Sequence, residues 1–232
     1  MTAEEAWGFI ERKHRSYHSR LKHLGYEYDM FIPNHLAMYE MYDIEELTSE
    51  QIEKYRNIFM NEIYNVKNLQ ELDHILQTDS VPALQSVVDT LAPMAKKWGL
   101  QLPNILEIQT TYGSGGSYYW NEKSLIILRM FRKHVYNSKA VVGLLQHEFI
   151  HLLIEQSIIQ KYNVPQDLKE RIVDIIGFEY FGKPVRPMFE NSFANNYITK
   201  HAIENDLPGA VKKMMMDYGI FKAKMHEGKL KG

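Results

Sequence analysis

Within AVVGLLQHEFIHLLIEQSII (residues 140–159), two imidazoles and a carboxylate interrupt an otherwise apolar run: His147, Glu148 and His151. The flanking pattern predicts a buried helix over about 138–160. On a helix, residues four apart share a face, so His147 and His151 can address a single point, and Glu148 projects from the adjacent side. Burying such groups without partners costs several kcal/mol. They therefore either satisfy one another as a core cluster or hold an ion.

A second pair with the same spacing, His14 and His18 in HRSYH, supplies a contrast. There Arg15 stands in the place of the glutamate, and Arg12, Lys13 and Arg20 surround it. That composition reads as a cation-rich surface face. HEFIH differs in being flanked by apolar residues on both sides. Nineteen positions after His151 comes ERIVD, Glu170 to Asp174, on a further expected helix over about 166–181, after a turn marked by Asn163 and Pro165. Folded back antiparallel, this helix can present Glu170 as a third ligand. Asp174, one turn on, can receive the N–H of a ligating imidazole.

HEFIH followed by E-x-x-x-D resembles the glutamate-zincin metallopeptidases of the thermolysin type. H-E-x-x-H places two zinc ligands on one helix face, with the glutamate beside a metal-activated water. The resemblance implies zinc held by His147, His151 and Glu170, Glu148 as general base, and Asp174 as support. It implies peptide-bond hydrolysis on an extended peptide or protein substrate. It also implies an α+β zincin-like fold, with a small mixed or antiparallel sheet packed on the active-site helix. GSYYWNEKSLIILRM (residues 116–130) would supply the strand edge that pairs with substrate. Tyr162, Tyr118 and His201 are the candidates for stabilising the oxyanion or contacting substrate.

The rest of the chain bounds this reading. Its 232 residues, 45% hydrophobic and 24% charged, suit one compact domain. The sequence divides into a helical region over 1–100, a core over 101–182 and a helical end over 183–232. A formal net charge of -2 gives no reason to expect nucleic acid or an anionic membrane as partner. Without cysteine there is neither a disulfide nor a thiolate ligand, so a transition-metal site needs histidine and carboxylate. No secretory leader or apolar span is read from the sequence, and a cytoplasmic address is the expectation.

Helices are expected at 3–24 (ended by Gly25), at 49–65 with a capping box opening at Ser49, and at about 69–77 and 83–98. ILEIQTTYG (105–113) reads as a strand, and GSYYW with SLIILRM as a hairpin turning at 121–123. Gly113, Gly115 and Gly116 punctuate the join; no helix or GK[ST] follows, so this is not a phosphate loop. Pro184 and Pro187 interrupt the chain before a final helical, lysine-rich end. Tyr112, Tyr118 and Tyr119 read as half-buried strand residues, and Met214, Met215 and Met216 cannot share one helix face.

Two other functions fit the same residues: a non-catalytic binding or regulatory protein with a structural zinc, and a toxin or effector protease acting on one protein. Retention of Glu148 argues against the first, since a structural site has no use for that carboxylate.

Overall fold

The structure is a computed structural model, and it describes residues 2–24, 32–33, 35–103, 105–112, 116–119, 125–130, 138–182 and 192–226. In chain order these form α1 (Ala3–Ser16), α2 (Leu36–Asp43), α3 (Ser49–Ile58), α4 (Val66–Ile75), α5 (Val81–Lys97), β1 (Glu107–Tyr112), β2 (Gly116–Tyr119), β3 (Leu125–Met130), α6 (Ser138–Ile154), α7 (Gln166–Phe181), α8 (Ser192–Asn195), α9 (Lys200–Asn205) and α10 (Leu207–His226). Widened i→i+5 turns prolong α1 over Tyr17–Leu21, α3 over Phe59–Ile63, α4 over Leu76–Ser80 and α6 over Glu155–Gln160. The expected stop at Gly25, the glycines 113 and 115, the turn at 121–123, the breaks at Pro184 and Pro187 and the chain after His226 lie outside the described residues. No described helix is long and apolar enough to cross a membrane.

Capping explains several of the boundaries. Thr2 accepts the Glu5 N–H while the Glu5 carboxylate accepts the Thr2 N–H, closing a reciprocal box at the start of α1. The box at α3 sits one residue earlier than the sequence suggests. Thr48 is the cap, its hydroxyl accepting from Gln51 N–H and Gln51 Oε1 accepting from Thr48 N–H. A side-chain oxygen reaches the third helical N–H only from the residue before the first helical turn, and that residue is Thr48.

The fold class differs from the expected α+β zincin-like arrangement: the chain is mainly helical. Among the described residues the strands are six, four and six residues long. They form one small sheet in the order β1-β3-β2, with β1 parallel and β2 antiparallel to β3. β3, from the SLIILRM stretch, is paired on both sides, while β2, from the same GSYYWNEKSLIILRM segment, lies at an edge of this sheet. β1 packs on α1 and α4. The physical reason is at the end of β1. Tyr112 is buried, edge-on to Phe59 with ring centroids 5.1 Å apart, and Phe59 meets Trp7 of α1 at 5.9 Å. These aromatic contacts commit the sheet to the N-terminal helices.

Contacts divide the chain into two units. One holds the chain up to Val81, the three strands and the opening of α6 as far as Leu145. The other holds α5 from Pro82 and the chain from Gln146 onward. The second contains Lys97 and Trp98, whose Nζ and Nε1 donate to the Glu204 and Ile203 carbonyls of α9 at 3.0 and 2.7 Å. It also contains α10, where Met214 is buried and Met216 exposed.

In the first unit the His14/His18 pair departs from the sequence reading. It is not a surface face: the residues are 2% and 7% exposed. His14 Nε2 donates to the Ile44 carbonyl and His18 Nε2 to the Tyr42 carbonyl, each at 2.8 Å. Helix α2 ends there, and the last carbonyls of a helix have no intrahelical donor. Two imidazoles one turn apart on α1 satisfy two of them, while Arg12 and Arg15 point outward. Arg12 and Arg15 describe only the opposite face of the helix. Burial pushes the His14 pKa down, against the raising effect of its bond to Ile44.

Candidate metal centre

α6 is apolar nearly all round, and from Glu148 to Ile154 every residue is buried. Such a helix belongs in an interior. Its chain reverses through the wide turn at Glu155–Gln160 and a bend in which Asn163 adopts a left-handed φ of 51°. There the Val164 N–H bonds the Ile159 carbonyl at 3.0 Å. Pro165, extended, caps α7; its ring fixes φ and dispenses with an N–H the first turn could not use.

Contacts across the hairpin run antiparallel, His151 meeting Glu170 and His147 reaching toward Asp174. His147 Nε2 and His151 Nε2 lie 3.0 Å apart. Glu170 Oε2 is 3.3 Å from His147 Nε2, and Glu170 Oε1 is 3.3 Å from His151 Nε2. These three residues are the group among the described residues whose ligand atoms converge closely enough to hold a metal ion. Tetrahedral ligands at ~2.0–2.1 Å from an ion are separated by about 3.3 Å, so the spacing already matches a zinc-sized site. Two imidazoles and a carboxylate also form a donor set that zinc takes at catalytic centres, with a fourth position left for water or substrate.

The electrostatics favour a cation. Burial alone would raise the Glu170 pKa; the hydrogen bonds and charges of His147 and His151 outweigh it and hold the carboxyl well below its usual range. A fixed carboxylate therefore stands beside two imidazoles at neutral pH. Asp174 approaches from the other side, with Oδ1 3.8 Å from His147 Nδ1, longer than a hydrogen bond. Glu148 is buried on the same turn as His147, at 7% exposure.

Of the other sequence candidates, Tyr162 lies in the bend between α6 and α7, with Lys161 Nζ 5.4 Å over its ring. His201 is exposed on α9 and pairs with Asn205. Neither contact leads to the histidines, and the side chain of Tyr118 lies outside the described residues. Sequence reasoning passed over Gln166, whose Nε2 donates to Glu170 Oε1 at 2.8 Å. The available signal was its place four residues before Glu170, on the same helix face.

Comparison with protein-family models, with curated proteins and with solved structures finds no match for this chain.

Proposed function

We propose that this chain is a zinc-dependent metallopeptidase whose reaction centre is His147, Glu148, His151 and Glu170. The observation that carries the reading is the convergence of both Nε2 atoms and the Glu170 carboxylate within 3.0–3.3 Å, with Glu148 buried on the same turn. The HEFIH and ERIVD stretches support it, being similar to the thermolysin-type pattern, and the proposal concerns the site and not the surrounding fold. His147, His151 and Glu170 would hold the ion. When bound, zinc lowers the pKa of water toward ~7 and polarises a substrate carbonyl.

Glu148 supplies what these ligands cannot. Its carboxylate accepts a proton from the attacking water as the new C–O bond forms. It then delivers that proton to the amine nitrogen as the C–N bond breaks, so the residue ends as it began. Asp174 orients His147 from behind, and Tyr162, Tyr118 and His201 are the side chains to vary for carbonyl polarisation. The substrate is an extended peptide or protein segment, in a cytoplasmic setting.

The test is metal analysis of the purified chain together with a peptide-library cleavage assay. The reading requires about one zinc per chain and cleavage that a chelator abolishes and zinc restores. Absence of zinc after loading at neutral pH, or a preference for another metal with no hydrolysis, overturns it.

A further inference from the structure

We infer that α2 is an acid-released latch within the first unit, held at both ends by imidazoles that serve it only while they are neutral. His14, His18 and His35 form this device, which is independent of the metal site.

His35 caps the front of α2. Its Nδ1 accepts the Ala37 N–H at 3.2 Å, so its proton sits on Nε2, which faces Glu62 Oε2 at 3.3 Å. A second proton would fill the one lone pair the cap uses. The ring would then keep Glu62 through Nε2 and lose Ala37, and a positive charge would stand at the positive end of the helix.

His14 and His18 hold the back, each Nε2 donating at 2.8 Å, to the Ile44 and Tyr42 carbonyls. Those donors survive protonation, but the surroundings oppose the charge. The two rings are 4.7 Å apart and only 2% and 7% exposed. The Tyr17 ring lies 5.0 Å from His18, and the Tyr42 ring 5.3 Å from His14. His18 Nδ1 is buried without a hydrogen-bond partner, so a proton there becomes a charged donor with no acceptor. Glu11, on α1 itself, favours a charged His14 but is paired with Arg15 at 3.1 Å. Burial is the larger effect and holds the His14 pKa down. Among the described residues these are the titratable and charged groups in contact with the three rings.

Between its two ends α2 has eight residues and one buried face, Met38, Met41 and Tyr42. A helix this short has little stability of its own and depends on that face and on its ends. As pH falls below the ordinary histidine range, acid removes the front contact and charges the back, so α2 opens before the surrounding helices do.

The experiment is hydrogen–deuterium exchange of the full chain, read by mass spectrometry at about pH 7.5 and about pH 5.5, on either side of the histidine range. Each rate is divided by that of an unstructured peptide at the same pH. H35N keeps a cap acceptor that takes up no proton, and H18Q keeps a side-chain N–H for the Tyr42 carbonyl. On acidification the protection of α2 in wild type should fall ~10-fold further than that of α3, about what a lost cap and an opposed charge are worth. In H35N the excess should shrink to ~3-fold, and in H35N/H18Q it should disappear. If the double variant is unfolded near neutral pH, H35N alone decides. An excess below about twofold in wild type, equal losses across α2 and α3, or an excess in H35N as large as in wild type overturns the inference.

Discussion

The carboxylates of α7 can be ranked by how much zinc-linked stability each variant retains. A ligand that binds only the folded chain stabilises it by RT ln(1 + [L]/Kd), ~4.1 kcal/mol at a thousandfold excess over Kd. For a chain of this size each kcal/mol moves the melting temperature by ~2–4 °C, so zinc should raise that of wild type by ~8–16 °C over chelator. Glu170 touches both histidines at 3.3 Å, and Glu170→Ala removes a ligand outright. Its zinc-dependent shift should vanish. Asp174 stands 3.8 Å from His147 Nδ1, beyond a hydrogen bond, so its loss belongs at the lower end of the ~10–100-fold range for supporting residues. Tenfold is ~1.4 kcal/mol, leaving Asp174→Ala ~2.7 kcal/mol of zinc stabilisation and a shift of ~5–11 °C. Since Asp174 is buried, its substitution also lowers the metal-free melting point. The quantity to compare is therefore the zinc-minus-chelator difference within each variant, by differential scanning fluorimetry at fixed free zinc. A zinc shift in Glu170→Ala that matches wild type, with none in Asp174→Ala, refutes the assignment.

Glu148→Gln keeps side-chain volume at a buried position and should retain zinc, while peptide cleavage falls by ~10²–10⁴-fold, read from initial rates against wild type. In acid, the depressed His14 pKa costs stability. The unfolded chain takes up a proton near pH 6.5 that the folded one refuses, so urea midpoints should decline as pH falls below ~6.5, less steeply in His14→Gln. In alkali the sign reverses. Tyr112 is pushed from 10.0 up to about 12 by burial, so unfolding releases its proton first and stability drops by ~2–3 kcal/mol between pH 10 and 12. Tyr112→Phe should lose ~1 kcal/mol at neutral pH, where the Asn65 N–H loses its 2.7 Å acceptor, and should lack the alkaline decline. Midpoints that fall in parallel for both proteins would contradict this account.

The candidate centre was legible because its geometry is local. The four-residue spacing of His147 and His151 fixes their shared face, and a short reversal at Asn163 and Pro165 limits where Glu170 can arrive. Helix α7 follows the expected 166–181 because its start is a proline cap and its stop a left-handed glycine, Gly182. The placement of the sheet could not be read in this way. Whether Tyr112 meets Phe59 depends on packing between residues far apart in sequence, which periodicity along a strand does not encode. The His14/His18 pair misled for a related reason. Arg12 and Arg15 describe the outward face of α1, whereas the fate of its imidazoles is set by two carbonyls at the end of α2, 30 and 24 positions later.

Those two imidazoles also provide an internal clock. A carbonyl can only accept, so each Nε2 must carry the proton, and both rings are locked in one tautomer. A ring proton sealed in this way can exchange with solvent only when the α1–α2 contact opens. Nitrogen-edited magnetic resonance of the imidazole protons would then time the opening of the first unit separately from events around His147 and His151. Whether binding at the histidines of α6 slows the histidines of α1 is thus a question that two pairs of the same residue can answer in one spectrum.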